Sequence, residues 1–326
     1  MMTMTTRRRA LLAVATTLTT SARAQERSYP DRSVTIVVPA AAGGGGDFAA
    51  RLLGDGLSRE LGQTFLVDNR VGGGGTVAAM TVARASPNGY TVLLAYSGTH
   101  VTFPSLFPSL PWDPERSFTP VALVLRAPHV IVVRRDLAAA TLAELADLAR
   151  RNPGRLTYAS SGAGTIQHIG GEWLAGIFGA PMLHVPYRGA GPAMNDLVAG
   201  TIDMMITTPP AVVGLLRDSS IRALAIASTT RHEMLPGVPT TTEAGFAEFE
   251  LEAWFAIYAP AGTARSVIDG LSSAVRRAVV EPVFQRRSIE AGTIPAFMDP
   301  EELAAFTRSE LGRWSEIIRR LGIRSE

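Results

Sequence analysis

Val34-Thr35-Ile36-Val37-Val38-Pro39 runs through Ala40-Ala41-Ala42-Gly43-Gly44-Gly45-Gly46 into Asp47-Phe48-Ala49-Ala50-Arg51, and this stretch decides the fold of the 326-residue chain. It reads as strand, glycine loop and helix. Val34 to Val38 is an unbroken apolar and β-branched run, the pattern of a strand covered on both faces. Pro39 cannot donate to a ladder, so the strand stops there. Phe48, Leu52, Leu53, Leu57 and Leu61 then fall at helical spacing, and Asp47 has the side chain of an N-cap. Glycines between the two elements let the backbone approach a ligand, and the first helical N–H groups stay unpaired, which favours an anion.

The same order continues down the chain. Thr64 to Val67 reads as a strand, Gly72 to Gly75 as a second glycine run, Thr76 to Ala85 as a short helix, and Tyr90 to Ala95 as a third strand. A proline-rich excursion (Pro104, Pro108, Pro111, Pro114, Pro120) leads to strands Val121–Leu125 and Val130–Val133, interrupted at Ala127-Pro128. A second strand, loop and helix unit follows. Thr141 to Glu144 forms a capping box, Leu156 to Ala159 a strand, Ser160 to Gly164 a loop, and Thr165 caps a helix to about Phe178. Leu183 to Val185, Ile202 to Ile206, Ala223 to Ala227 and Trp254 to Tyr258 are further strands. Pro192 is placed at a helix N1 position with Gly200 closing that helix, and the last helices run over Ser266–Val280 and Glu301–Leu321. Strands alternating with helices predict the α/β class, with doubly wound sheets whose ligands bind beyond the carboxyl ends of the strands.

Composition narrows the function. Cysteine is absent, which excludes disulfides, thiolate catalysis and zinc-thiolate sites, and every basic residue is arginine, which excludes a P-loop lysine and Schiff-base chemistry. Arg7-Arg8-Arg9, the apolar stretch Ala10–Leu18 and Ala22-Arg23-Ala24 form an export signal over residues 1–24, followed by Gln25. The apolar stretch is too short to span a bilayer, and the arginine cluster leaves the Sec and twin-arginine routes both open. Removing its four arginines from 31 basic residues leaves 27 against 29 acidic, a net charge of about −2 that gives no support to nucleic-acid binding.

Two functional readings compete for the glycine loops. Gly44-Gly45-Gly46-Asp47-Phe48-Ala49 matches the G-x-G-x-x-A fingerprint, with Asp68 at the end of the next strand, so an exported Rossmann-type dinucleotide-binding oxidoreductase is the alternative. Against it, Asp47 would place a carboxylate beside a pyrophosphate, and the second strand runs into more glycines rather than a helix. The other reading is a binding protein in which the helix N-termini at Asp47 and Thr165 face each other across a cleft and hold a carboxylate, directly or through water. No histidine pair among His100, His129, His168, His184 and His232 has metal-ligand spacing, and Ser161 lies outside a G-x-S-x-G elbow. No catalytic residue, metal or cofactor is expected.

Several segments together resemble the Bug (Bordetella uptake) family, the periplasmic solute-binding components of tripartite tricarboxylate transporters. They are Tyr29-Pro30-Asp31, Val38-Pro39 through Gly43-Gly44 to Asp47 and Arg51, Asp68-Asn69-Arg70, Pro87 to Thr91, Tyr158 to Gly164 with His168, His184 to Gly189, Leu235 to Gly245, Trp254, and Ala259 to Gly262. The resemblance covers essentially the whole mature chain, in order. It implies a two-lobed periplasmic-binding-protein fold (type II-like), with residues 25–127 plus 253–326 in one lobe and 128–252 in the other. It further implies a periplasmic, non-catalytic monomer that takes a small carboxylate: a di- or tricarboxylate, an acidic amino acid or an aromatic acid. Its partners would be integral-membrane transporter subunits or a sensor kinase, and not nucleic acid. The chain departs from the family pattern at Ala40 (usually phenylalanine), Gly46 (a hydroxyl residue), Phe103 (asparagine) and Trp112 (tyrosine). The first two enlarge one pocket wall.

The residues expected at the ligand are Pro39, Ala42, Gly43, Gly44, Asp47, Ser97, Ser161, Gly162, Ala163, Thr165, His168, Tyr187, Arg188 and Thr207. Asp47 is a ligand contact or only a helix cap, with Arg51 its i,i+4 partner. His168 lies in the first turn of its helix, where packing and pocket roles are both open. Ser97 and Thr99 at a strand end suit a carboxylate or ordinary turn capping. Tyr187-Arg188-Gly189 shapes the cleft, and Trp254 reads as packing.

Overall fold

The computed structural model describes residues 29–107 and 109–323; the export signal and Pro108 lie outside them. The first elements are β1 (Val34–Val38), α1 (Gly45–Leu61), β2 (Phe65–Asn69), α2 (Thr76–Ala83) and β3 (Thr91–Tyr96), followed by α3 (Phe103–Leu106) and β4 (Phe118–Pro128). Next come β5 (Val130–Arg134), α4 (Leu142–Arg151), β6 (Thr157–Ser160), α5 (Ile166–Phe178), β7 (Leu183–Pro186), α6 (Ala190–Val198), β8 (Met204–Thr207), α7 (Val213–Arg217) and β9 (Ile221–Ile226). The chain ends with β10 (Glu252–Pro260), α8 (Arg265–Val280), α9 (Pro282–Glu290), β11 (Ile294–Met298) and α10 (Pro300–Leu321).

These strands build two sheets, β11-β4-β10-β3-β1-β2 and β7-β6-β8-β5-β9. Each is parallel where strand-helix-strand units laid it down: β1 with β2 and β3, and β6 with β7 and β8. Each turns antiparallel where strands next to the crossings enter, so the sheets are mixed rather than wholly parallel. β1 is covered on both faces as its composition predicts. Val37 joins one apolar cluster while Val34, Ile36 and Val38 join another. Under that second face lie Ala49, Ala50, Leu52, Leu53 and Leu57 of α1, all fully buried, and each such leucine contributes about 1.5–3 kcal/mol over an exposed one. Gly62 ends α1 in the left-handed conformation.

The first crossing takes one residue. β4 extends through Ala127 and Pro128, where an interruption was expected, because both still pair with β10. His129 alone separates β4 from β5. Its N–H donates to Leu251 O (2.8 Å), its carbonyl accepts from Ala227 N–H (2.8 Å), and Leu251 N–H donates to Ala227 O (3.0 Å). Outgoing and returning strands are thus tied to each other at His129.

Two helix starts differ from the sequence expectation. α1 begins at Gly45 with Gly44 as N-cap, which makes Asp47 the third helical residue rather than the cap. α6 begins at Ala190, so Pro192 is also third; its missing N–H costs nothing in a turn without intrahelical acceptors. The sequence reading also lacked the π-helical turn Gly98–Thr102, α3, α9 and β11. No helix among the described residues is long and apolar enough to cross a membrane.

Candidate functional site

The carboxyl ends of β1 and β6 open onto one cavity of about 620 Å³ between the two sheets. On the first side, Pro39, Ala40, Ala41 and Gly44–Gly46 carry the chain into α1, whose first intrahelical bond is Phe48 N–H to Gly44 O. The N–H groups of Gly45 and Gly46 have no intrahelical acceptor, and the absence of side chains keeps them accessible. Bulk is excluded here, since a Cβ at Gly45 would collide with the Thr208 hydroxyl of the opposite lobe. On the second side, Ser161, Gly162, Ala163 and Thr165–Gln167 line the cavity at the start of α5. Thr165 is the N-cap, and its hydroxyl donates to Gly162 O (2.7 Å) instead of capping. Two helix N-termini therefore address the same space.

Of the residues expected at the ligand, Pro39, Gly44, Ser161, Gly162, Ala163, Thr165, Tyr187, Arg188 and Thr207 line this cavity. Ala42, Gly43, Asp47, Ser97 and His168 do not. Asp47 is 6% exposed and turned onto its own loop, with Oδ2 accepting from Gly43 N–H (3.1 Å) and Arg51 Nε (3.0 Å). Burial raises its carboxyl pKa, but the hydrogen bonds from Arg51 and Gly43 outweigh that and hold it below the usual carboxylate range. Asp47 thus organises the loop from behind. His168 does the same for the second loop. Its Nδ1 accepts from Gly164 N–H (3.1 Å) and its ring stacks on His184 at 4.1 Å, while His184 Nε2 lies 2.6 Å from Ser160 Oγ. Burial lowers the pKa of His168 and, with His168 beside it, brings that of His184 down to about 4, so both rings stay neutral. Ser97 is fully buried at the start of the π-helical turn.

The sequence reading missed most of the apolar wall. Tyr96 and Phe255 are register partners across β3 and β10, with ring centroids 6.4 Å apart, and Phe103 and Phe107 pack with tilted rings at 4.3 Å. Val71, Gly72–Gly75, Ala190 and Ala253 also line the cavity, with Gln167, Thr208 and His129 among its polar groups. His129 is buried with Nδ1 3.2 Å from Leu251 O, and burial brings its pKa down to about 4. Burial pushes the Tyr96 hydroxyl up to about 12, with the Ser161 hydroxyl of the other lobe opposing. Among the described residues Arg188 is the one cation on the wall, without an ion pair or hydrogen bond to any of them, and none of those lining the wall is a carboxylate. Asp68, which the dinucleotide reading needs for a ribose, instead accepts from Arg70 Nε at 2.8 Å. Arranged this way, the cavity can hold an anion with an apolar body; among the described residues lining it, no nucleophile has an adjacent base.

Comparison with known proteins fits this geometry. The sequence pattern described as "Tripartite tricarboxylate transporter family receptor" matches residues 49–323. A protein encoded in the tcbD-tcbE intergenic region of Pseudomonas sp. (strain P51) is 38% identical over 315 residues, covering 96% of this chain and 94% of that protein. Among solved structures, the periplasmic binding protein BugD superposes with TM-score 0.88 at 34% identity over 91% of this chain and 100% of its own. MatC from Rhodopseudomonas palustris, with bound malate, gives 0.84 at 34% identity over 89% and 100%. A second R. palustris protein, with adipate, gives 0.88 at 33% identity over 91% and 99%.

Proposed function

The chain belongs to the tripartite tricarboxylate transporter receptor family, and from that premise we propose that it is a receptor that captures a small organic carboxylate between its lobes and delivers it to integral-membrane transporter subunits. The observation that carries this reading is the cavity itself, where the starts of α1 and α5 meet one unpaired arginine, Arg188. Uncompensated N–H groups at two helix starts attract negative charge, and Arg188 supplies a formal charge to pair with it. Malate and adipate in the two R. palustris structures support a carboxylate as the ligand class. The protein acts outside the cytoplasm, as the periplasmic relatives do, after export directed by residues 1–24 by the Sec or the twin-arginine route. It works as a monomer without catalysis. Its lobes comprise 25–127 plus 253–326 and 128–252, hinged where His129 meets Ala227 and Leu251.

Titration calorimetry and thermal unfolding of the purified protein against a panel of carboxylates, with NAD as control, test this. A ligand at a hundred times its Kd adds about 2.7 kcal/mol of stability. Saturable binding of one class of carboxylate is the expected result; a response to NAD alone would return the protein to the dinucleotide reading.

A further inference from the structure

The cavity wall is unevenly made, and the unevenness bears on the body of the ligand rather than its charge. Each loop that offers N–H groups has an aromatic pair beside it. At the start of α1, a Cβ on Gly45 would stand 3.2 Å from Phe255 Cζ, so the Phe255 ring, with its partner Tyr96, lies directly against the helix N-terminus. At the second loop, a Cβ on Gly164 would stand 2.8 Å from Phe107 and 3.0 Å from Phe103, while one on Gly74 would enter the Phe103 ring. Phe103 is thus held between glycine loops of both lobes, with Phe107 beside it against the second. An anionic group at either helix start is forced to lay the rest of its molecule against aromatic rings.

The polar inventory argues the same way by exclusion. Among the described residues lining the cavity there is no aspartate or glutamate to receive a ligand ammonium, and Asp47, whose Oδ2 holds Gly43 and Arg51, lies outside that lining, so an amino acid fits poorly. A short hydroxy-diacid would set part of its polar middle against the Phe103, Phe107 and Phe255 rings, which offer it no hydrogen bond. A flat ring satisfies all these conditions. It stacks on both aromatic pairs, presents its carboxylate in plane to a helix start and Arg188, and needs no acceptor.

We propose that, within the receptor reading and resting on it, the ligand is an aromatic carboxylate whose ring lies between the Tyr96–Phe255 and Phe103–Phe107 pairs. The test is calorimetry on the purified protein with benzoate, terephthalate, adipate and malate. The expected result is at least tenfold tighter binding of an aryl acid than of either aliphatic acid. The Phe103→Leu substitution, which keeps apolar bulk and removes the ring, should shrink that preference several-fold. Tighter binding of malate or adipate than of both aryl acids overturns the inference and leaves the receptor reading standing, as does a preference untouched by Phe103→Leu. Binding of none of the four while another carboxylate of the wider panel binds overturns the inference alone; a response to no carboxylate at all overturns both.

Discussion

Gly189 of the second lobe and Ala41 of the first approach so closely that a Cβ on Gly189 would stand 2.8 Å from the Ala41 Cβ. The lobes close on each other here, beside the cavity, and nothing larger than a hydrogen fits between these backbones. Gly189 has φ +121°, a conformation costly to any other residue, so replacing it mixes strain with bulk. Ala41→Val isolates the bulk. If ligand binding requires closure, affinity falls in proportion to the closed fraction, and a tenfold loss of closed form raises Kd about tenfold. Calorimetry should show that loss with unfolding of the ligand-free protein unchanged; an unaltered Kd would mean that this contact does not limit closure.

Arg188 is exposed at the cavity wall with no internal partner. A hydrogen bond to a charged group contributes about 1.5–3 kcal/mol, so Arg188→Gln should raise the Kd for a carboxylate roughly ten- to a hundredfold. Because the group is exposed, the native protein should lose affinity between low and high salt and the variant should lose less. Equal salt dependence in both proteins would remove Arg188 from the site.

Asp47 acts on the ligand through its loop. Asp47→Ala removes the acceptor of Gly43 N–H and the partner of Arg51, at a cost of about 1 kcal/mol for the helix start. Affinity should fall several-fold although Asp47 does not line the cavity. Asp47→Asn, which keeps an oxygen for Gly43, should recover most of the loss. Identical affinity in all three proteins would show that the loop holds its shape unaided.

What the sequence disclosed depended on whether the signal was local. The strand from Val34 to Val38, the stop at Pro39 and the glycines before α1 are adjacent in the chain, and each has a backbone reason to be where it is. Ser161 to Thr165 follows the same rule. Phe103, Phe107 and Phe255 were invisible as wall residues because nothing near them in sequence says what they face. Phe255 meets Tyr96 only through the antiparallel register of β10 on β3, and alternation sends its neighbour Trp254 to the opposite apolar cluster. Phe103 reaches Gly74 and Gly164 only because a π-helical turn at Gly98–Thr102 redirects the chain after β3. Asp47 misled for a related reason: a carboxylate at a helix start looks the same in sequence whether it faces out to a ligand or back to its own loop.

Acid should unfold this protein through its histidines before its carboxylates. His100 and His129 are fully buried, and burial brings their pKa values down from 6.5 to about 3 and about 4. In the unfolded chain each takes up a proton near pH 6.5, which the folded protein refuses until far lower pH. Stability therefore rises with pH across this window, is fully present above 6.5 and drains away toward 4. Between pH 6.5 and 5 each ring costs about 2 kcal/mol. Urea midpoints measured from pH 7.5 to 5 should fall accordingly, and a flat profile would show that these rings accept protons inside the fold.

A buried carboxylate helps tie the C-terminal helix to the first sheet, beside the Tyr258–Thr307 hydrogen bond (2.6 Å). Glu310 of α10 is 7% exposed, and its Oε2 accepts from the indole N–H of Trp254 in β10 (3.1 Å) and of Trp314 in α10 (3.3 Å). Both indoles are buried, so neither finds water if the acceptor is removed. Leaving a buried donor unpaired costs about 1–3 kcal/mol, and Glu310→Ala strands two, so a loss of roughly 2–6 kcal/mol follows. Glu310→Gln retains an oxygen between the indoles and should cost less than half as much. Denaturant midpoints at constant slope separate the variants. Since α10 lies outside the cavity wall, the Kd of the folded Glu310→Gln protein should match the native value. A change there would mean that the α10 contact also governs how the lobes close.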